Sequence, residues 1–450
     1  MFATPMDIWW RSAHHWADEK TREGFISVRL IGKCQYSWRT LVVVTEFFES
    51  SFSERTKGWI MTSTIIISIC TLLLISYLFD LSFARTRIPP AILLLLLGWG
   101  IRQLTLGLEL SIPNILPLLP VLGTVGLILI VMEGALELEL NRSKGPLILR
   151  SFIGSLLPLV IMAIVISFVL REYGYNNLQV NMVNVLPLCV ISSAIAIPSA
   201  RNLSPAGKEF IIYESSLSDI IGVLLFNFFS LNETIRLQTV GVFGIELLFI
   251  IGFSFLATML LAFLLSRIDH QIKFAPIILL VILIYAISKA YHLPGLIFIL
   301  LFGLVLGNLD ELKNIRFIAK LRPEILNREV HRLKHITIEG TFLVRSLFFL
   351  LFGYSIETSD IINPDTLPMA LGIGGMIYLF RAVQLKLTRM PLFPVLFIAP
   401  RGLITILLYL SIPAAQQIPL LGKSLIVQVI LLSSLTMMAG LMLHKPEVQD

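Results

Sequence analysis

Charged residues are scarce in this sequence: Asp, Glu, Lys and Arg make up 14% of the 450 residues, whereas hydrophobic residues make up 56%. A soluble domain of this composition would not stay in solution, so the balance indicates a polytopic membrane protein. Cysteine is scarce too. Cys34, Cys70 and Cys189 lie far apart in the chain, so neither a disulfide framework nor a metal site follows from them.

Sequence motifs of common enzyme classes are absent as well. No HExxH, GxSxG or P-loop pattern occurs in the apolar segments, so we expect neither an enzyme nor a bound cofactor. The net charge of +6 does not indicate nucleic-acid binding, because the Lys and Arg residues lie mainly in the short loops between apolar segments.

Apolar segments recur along the chain from Trp59 onwards, and thirteen of them are candidates for crossing a bilayer. They predict an all-α polytopic membrane domain over residues 59–443. Lys and Arg are concentrated in the loops after the odd-numbered spans. We therefore expect those loops in the cytoplasm, the N-terminus outside and the C-terminus inside a bacterial-type inner membrane. The predicted spans are 59–79, 88–104, 113–136, 146–170, 182–200, 208–229, 241–265, 274–290, 294–308, 336–356, 366–385, 393–413 and 424–443.

Two segments do not fit the pattern of short loops between spans. Residues 1–58 contain neither a spanning apolar run nor a signal-peptide pattern. They are either a non-membrane leader or an artefact of gene calling in which Met61 is the true start. Residues 309–334 alternate charges with spaced apolar residues, which predicts an amphipathic connector on the cytoplasmic face.

One predicted helix, over residues 208–229, carries Glu214 and Asp219 inside an otherwise apolar span. At about 1.5 Å per residue, Asp219 lies roughly 16 Å from the helix start, near the middle of a hydrocarbon layer about 30 Å thick. Burial favours the protonated carboxyl, and a carboxylate that exchanges its proton for a cation is the minimum equipment of an antiporter. The alternative is an aspartate that is hydrogen-bonded for packing alone. Ser215 and Ser218 share its helix face.

Two spans are interrupted near their middles. The fifth contains Ser192, Ser193 and Pro198, and the twelfth contains Pro400 and Gly402. Proline removes a backbone donor and glycine loosens a helix, so both spans are predicted to unwind. They are the fifth members of the first six and the last six helices. This position predicts two inverted six-helix repeats whose interrupted helices cross at a midplane transport site, the alternative being two separately kinked helices.

Five motifs follow one another along the chain, each in a predicted span. They are Leu122–Glu137 with Glu133-Gly-Ala-Leu136, Glu214-Ser-Ser-Leu-Ser-Asp219, Phe342–Phe349 with Arg345, Tyr378–Val383 with Arg381, and Ala399-Pro-Arg-Gly-Leu403. Together they resemble the NhaP-like sodium/proton exchanger branch of the cation:proton antiporter superfamily, over about residues 61–443.

The resemblance implies a secondary active antiporter that exchanges a monovalent cation for H⁺ by alternating access, with Na⁺ and K⁺ both open as substrates. It also implies a homodimer in the lipid bilayer. A core of helices 4–6 and 11–13 would move against a scaffold of helices 1–3 and 8–10. A single titrating carboxylate, Asp219, argues for electroneutral exchange of one proton for one cation.

Three arginines in the predicted spans, Arg345, Arg381 and Arg401, need partners for their charge. Family resemblance implies that Glu214 pairs with Arg381 and Glu133 with Arg401. These structural ion pairs would leave the aspartate of the sixth span free to exchange its ligand.

Oxygen atoms around Asp219 are expected to complete the cation shell, because hard cations prefer oxygen ligands. Ser215, Ser218 and the fifth span at Ser192 and Ser193 are the candidates. Two departures from the family pattern bear on this site. Ser218 stands where the branch usually has asparagine, and the break has no carboxylate where relatives carry Thr-Asp-Pro. The second departure keeps an alternative open, a non-transporting or channel-like ion sensor on the same scaffold.

Overall fold

A computed structural model describes residues 63–443 with gaps at 64, 84, 110–114, 116, 139–143, 201–202, 233–235, 268–273, 292–294 and 310–322. The leader, Met61 and most of the predicted connector therefore lie outside the described residues. The chain divides into two units, residues 1–69 and 70–450. The described residues of the first unit, 63 and 65–69, are helical, and the contacts described below lie in the second unit.

Secondary structure in the described part of the chain is helical throughout. Three short 3₁₀ helices, Val395–Phe397, Ala414–Gln416 and Pro419–Leu421, accompany the α-helices. The α-helices are α1 (Ile65–Phe83), α2 (Pro90–Gly107), α3 (Leu118–Glu137), α4 (Gly145–Glu172), α5 (Leu178–Cys189), α6 (Ser193–Ser199), α7 (Pro205–Leu231), α8 (Leu237–Arg267), α9 (Phe274–Ala290), α10 (Leu296–Gly307), α11 (Pro323–Ser355), α12 (Thr358–Ile361), α13 (Leu367–Leu387), α14 (Leu403–Leu410) and α15 (Lys423–Leu443).

The helices confirm the all-α membrane class that the sequence predicts. Nine of the described helical stretches are long and apolar enough to cross a membrane, with α5 and α6 counted as one stretch, and α9 and α10 are shorter apolar helices. The helix that carries Asp219, α7, is not among the nine. A count of thirteen crossings and an inverted relation between two halves remain predictions.

The predicted connector differs from what the structure shows. Residues 323–334 are the first turns of α11 rather than a separate segment, so this helix begins well before the predicted start at 336. Leu326, Val330 and Leu333 lie on one face of these turns and are buried in the protein, whereas Arg332 is exposed. An apolar stripe has the same spacing whether it faces lipid or protein, which explains why the pattern indicated an interfacial helix.

Helix packing falls into two groups. In one group α11 lies along α2 and α3, while α10 packs against α3 and α8. In the other group α7 packs against α4, α5 and α6, while α13 packs against α4 and α15. The short helix α14 contacts both α3 of the first group and α5 of the second.

The crossing of α2 and α11 depends on two glycines. A Cβ atom added at Gly98 would lie 2.2 Å from the carbonyl oxygen of Leu350, and one added at Gly353 would lie 2.4 Å from that of Leu95. Backbone atoms cannot yield as a flexible side chain can, so the two helices approach this closely only because both positions lack a Cβ.

We predict that Gly98→Ala lowers the free energy of unfolding by about 1–3 kcal/mol, because the added methyl group forces the two backbones apart. Gly100→Ala is the matched control on the same helix, since nothing lies within 4 Å of a Cβ there. It should be neutral or stabilising by up to about 1 kcal/mol. Thermal melting of the detergent-solubilised protein measures both variants, and equal melting temperatures would contradict the close crossing.

Candidate functional site

The two interrupted spans meet at their breaks. The fifth span ends as α5 at Cys189 and restarts as α6 at Ser193, and the twelfth restarts as α14 at Leu403. The backbone N–H of Ser192 donates to the carbonyl oxygen of Pro400 at 2.9 Å, which joins the two breaks directly. The two unwound segments are therefore in direct contact.

The glycine and the prolines contribute differently to these breaks. A Cβ added at Gly402 would lie 2.6 Å from Cδ1 of Ile195 and 3.0 Å from Oγ of Ser192, so a glycine permits the close approach. Pro400 accepts the hydrogen bond between the breaks. Pro198 was predicted to interrupt the fifth span, but it lies inside α6, beyond the break. Hydrogen bonds from other elements, rather than this proline, hold residues 190–192 in an extended form.

Asp219 lies on α7 beside the start of α6 and is 1% exposed. Ser193 donates both its backbone N–H, at 3.3 Å, and its hydroxyl to Oδ2 of this carboxylate. In the described part of the chain Oδ1 has no hydrogen-bond partner, and no lysine or arginine forms an ion pair with Asp219. The structure thus holds one carboxylate oxygen in place and leaves the other without a protein partner.

The other predicted serines are also buried around this position. Ser218 accepts the backbone N–H of Ile191 at 3.0 Å, and Ser215 donates to the carbonyl oxygen of Ile211 at 2.7 Å. A hydroxyl that donates its hydrogen keeps two acceptor lone pairs, so the oxygen of Ser215 remains able to bind a cation. Among the described residues the hydroxyl of Ser192 has no partner.

Glu214 is paired, unlike Asp219. Arg381 of α13 donates to Oε1 of Glu214 at 2.5 Å, and Gln384 donates to the same oxygen. Arg381 also donates to Oε1 of Gln384 at 3.2 Å and to the carbonyl oxygen of Val395 at 3.3 Å. The pair implied by the family resemblance is therefore present, and it ties α7 to α13 and to the edge of the second break.

Sequence reasoning missed Gln384. It lies three residues after Arg381, so the two side chains share one face of α13. A polar residue on the arginine face of a membrane helix is a usable signal, because buried polar groups require hydrogen-bond partners.

The predicted pair of Glu133 with Arg401 is wrong. The guanidinium of Arg401 donates instead to the carbonyl oxygens of Leu188, at 2.7 Å, and Ala399, at 3.0 Å. Its backbone N–H donates to the hydroxyl of Ser433 at 3.0 Å. The last carbonyls of a helix lack partners within that helix, so the broken α5 uses this arginine as its cap.

Glu133 lies on the wall of a cavity of about 530 Å³ that reaches Ser193, the residue that holds Asp219. Acidic side chains outnumber basic ones on its walls, so the cavity favours cations over anions. Lys334 approaches one of the acidic side chains, Glu137, at 3.6 Å. The charged residues that line the cavity are Asp80, Glu133, Glu137 and Glu339 with Lys208 and Arg345.

Two broken helices that meet beside a buried carboxylate are an arrangement of secondary transporters. The chain belongs to the sodium/hydrogen exchanger family, because the transmembrane domain of that family matches residues 69–445. Members of this family are transporters rather than enzymes, and membership supports an integral membrane protein that carries out cation:proton antiport. The resemblance that the sequence motifs indicate is thus confirmed.

Solved structures of a family member share the fold. One is the sodium proton antiporter MjNhaP1 from Methanocaldococcus jannaschii at pH 8, with a TM-score of 0.59 and 19% identity over 84% of this chain and 95% of that chain. An electron-microscopy structure of the same antiporter has the same TM-score and identity, over 85% of this chain and 99% of that one. No curated protein matches the chain.

We predict that Arg381→Ala lowers the free energy of unfolding by about 3–5 kcal/mol, because it leaves Glu214 as a buried charge without a counter-cation. The double variant Glu214→Gln/Arg381→Met removes both charges and keeps an amide within reach of Gln384. It should fold nearly as well as the native protein, because replacing both partners of a buried pair is often neutral.

Yield of monodisperse protein and melting temperature in detergent measure these variants. If Arg381→Ala has the same melting temperature as the native protein, the pair of Glu214 with Arg381 does not hold the bundle together.

Proposed function

We propose that this protein is an electroneutral antiporter that exchanges Na⁺ or K⁺ for H⁺ by alternating access, with Asp219 as the group that both ions share. The observation that supports it best is a contrast within one helix. Glu214 has an arginine partner, whereas Asp219, five residues later, is equally buried and has no cationic partner among the described residues. The charge of Asp219 is therefore available to a substrate ion.

The cation would bind where protein oxygens are not saturated by the protein itself. Oδ1 of Asp219 and the hydroxyl of Ser192 have no partner in the described part of the chain. Ser215 and Ser218 keep acceptor lone pairs on the same face of α7. Oxygen ligands of this kind suit hard monovalent cations, and Asp219 supplies the single negative charge that balances one of them.

Burial also gives a physical reason for coupling. With a bound proton or a bound monovalent cation, the site of Asp219 is neutral, whereas the empty ionised carboxylate is costly in an apolar bundle. Only the two loaded forms would cross between the inward and outward conformations at a useful rate. One cation would then exchange for one proton, with no net charge moved.

Alternating access requires two bodies, and the helix packing supports a division into them. The group around α4 to α7 and α13 to α15 carries Asp219 and both breaks. Of the group of α2, α3, α10 and α11, helices α3 and α11 line the opposite wall of the cavity, together with α1. We assign these groups as core and scaffold of a homodimer in a bacterial-type inner membrane. Glu137 and Lys208 lie near loops that the charge rule predicts to be cytoplasmic, so the cavity corresponds to the inward-facing state.

A channel-like or non-transporting ion sensor is the second candidate, because the break of the fifth span, Ser192-Ser193-Ala194-Ile195, has no carboxylate where the family pattern has Thr-Asp-Pro. A coupled antiporter moves protons only when the counter-cation is present. A channel would pass current with a single ion, so flux measurements separate the two functions.

Proton flux in everted vesicles from an antiporter-deficient host tests the proposal, with Na⁺, K⁺ and Li⁺ added in turn. We expect one or more cations to drive proton movement and Asp219→Asn to abolish it, because an amide cannot alternate between a proton and a cation. Glu246→Gln is the matched control, since Glu246 is an exposed carboxylate on α8. It should retain the native flux.

Cation-independent current would favour the channel. Native flux in Asp219→Asn would refute the role of this carboxylate, provided that the variant is folded in the membrane.

Competition between the two ions makes a further prediction about pH. As the pH falls, more Asp219 carboxyls carry a proton, so the apparent KM for the cation should rise, by up to roughly tenfold per pH unit.

The exchange rate should not change when the membrane potential is clamped at different values. A KM that is independent of pH would contradict a shared site, and a rate that follows the potential would contradict electroneutral exchange.

A further inference from the structure

The carbonyl oxygen of Ala194 lies in the first turn of α6 and has lost its usual partner. In an α-helix the carbonyl of residue 194 accepts the N–H of residue 198, and Pro198 has no N–H to donate. Arg345 of α11 supplies the missing bond, because its Nη1 donates to this oxygen at 3.3 Å. Pro198 therefore does not break the fifth span, but it leaves the carbonyl oxygen of Ala194 without its helical partner. Arg345 donates to that oxygen instead.

This hydrogen bond joins the two packing groups next to the transport site. Ala194 follows Ser193, whose N–H and hydroxyl hold Asp219, so the bond fixes the start of the helix that positions the carboxylate. Arg345 belongs to α11, which packs along α2 and α3 rather than along α7. Both partners of the bond also line the large cavity. A movement of α6 relative to α11 would have to break the bond.

We propose that Arg345 is a positioning residue that holds the start of α6 against α11 and thereby stabilises the arrangement in which the cavity reaches Ser193. The proposal rests on alternating access, the proposed mode of function. When the core moves, the guanidinium releases the carbonyl of Ala194. Arg345 acts on Asp219 only through α6 and Ser193.

Cysteine labelling tests this directly and needs no transport. Ile212 lines the cavity, so a cysteine at this position reports the hydration of the cavity through its rate of labelling by N-ethylmaleimide. The Ile212→Cys variant is made in a background in which Cys34, Cys70 and Cys189 are changed to alanine. Losing a hydrogen bond to a charged group shifts a two-state population, so Arg345→Leu should slow labelling by roughly threefold to tenfold. Arg345→Lys keeps a cationic donor and should restore most of the rate.

Lys208→Gln is the matched control for charge. It removes one positive charge from the walls of the same cavity, and Lys208 lies in the first turn of α7, about three turns before Asp219. Lys208 is one turn before position 212, so each labelling rate is first corrected for the pKa of the thiol introduced at that position, measured from the pH dependence of labelling. The corrected rate in this variant should stay close to the reference rate. Equal slowing in Lys208→Gln and Arg345→Leu would show that cavity charge alone sets the rate and would overturn the proposal.

Pro198→Ala provides an independent check that does not alter a charge. The new backbone N–H competes with Arg345 for the carbonyl of Ala194, so this variant should also slow labelling. The double variant Pro198→Ala/Arg345→Leu should slow it by less than the product of the two single effects, because both act on one bond.

Full multiplicative slowing, or no change in either single variant, would overturn the proposal even if one variant folds poorly. If the vesicles show no cation-dependent proton flux but the labelling pattern holds, the positioning role stands and the antiporter function fails.

Discussion

The constraint on which the rest of the structure depends is the backbone of the two broken helices. Away from water, every released N–H and C=O group needs a partner inside the protein. Several polar side chains of the site serve this need, including residues that the sequence offers as ion ligands or ion-pair partners. The hydroxyl of Ser218 accepts the N–H of Ile191. Arg401 donates to the carbonyl oxygen of Leu188 at the end of α5, and Arg345 donates to that of Ala194.

Once the backbone is satisfied, the two carboxylates of α7 have different environments. Glu214 receives hydrogen bonds from Arg381 and Gln384, so its charge is compensated and the position is structural. Within the described residues, Asp219 receives hydrogen bonds from Ser193 alone, and these leave one oxygen open and the charge uncompensated. A buried charge without a fixed counter-charge is stable only with a mobile one. This contrast is the physical basis of the exchange that we propose at Asp219.

Sequence reasoning identified the helical class and the buried carboxylate on α7 from hydropathy, and the pair of Glu214 with Arg381 from the family resemblance. It failed where a partner was a backbone atom. An arginine in a membrane span predicts an acidic partner, yet Arg401 binds carbonyls that exist only because α5 is broken. The start of α11 was missed for a similar reason, since an apolar stripe does not tell whether lipid or protein will cover it.

The serine at the break changes the physical character of the site. A carboxylate at position 193 would bring a second negative charge against Asp219, and it would offer no hydroxyl donor to Oδ2. Ser193 instead donates twice and adds no charge, which lowers the cost of keeping Asp219 ionised while the site waits for a cation. Cations are then attracted from a distance by the acidic walls of the cavity, which raise the local cation concentration and do not themselves form the site at Asp219. On this argument a carboxylate at the break would alter how strongly the site holds a cation, and the exchange of one ion for one proton that we propose would still need only Asp219.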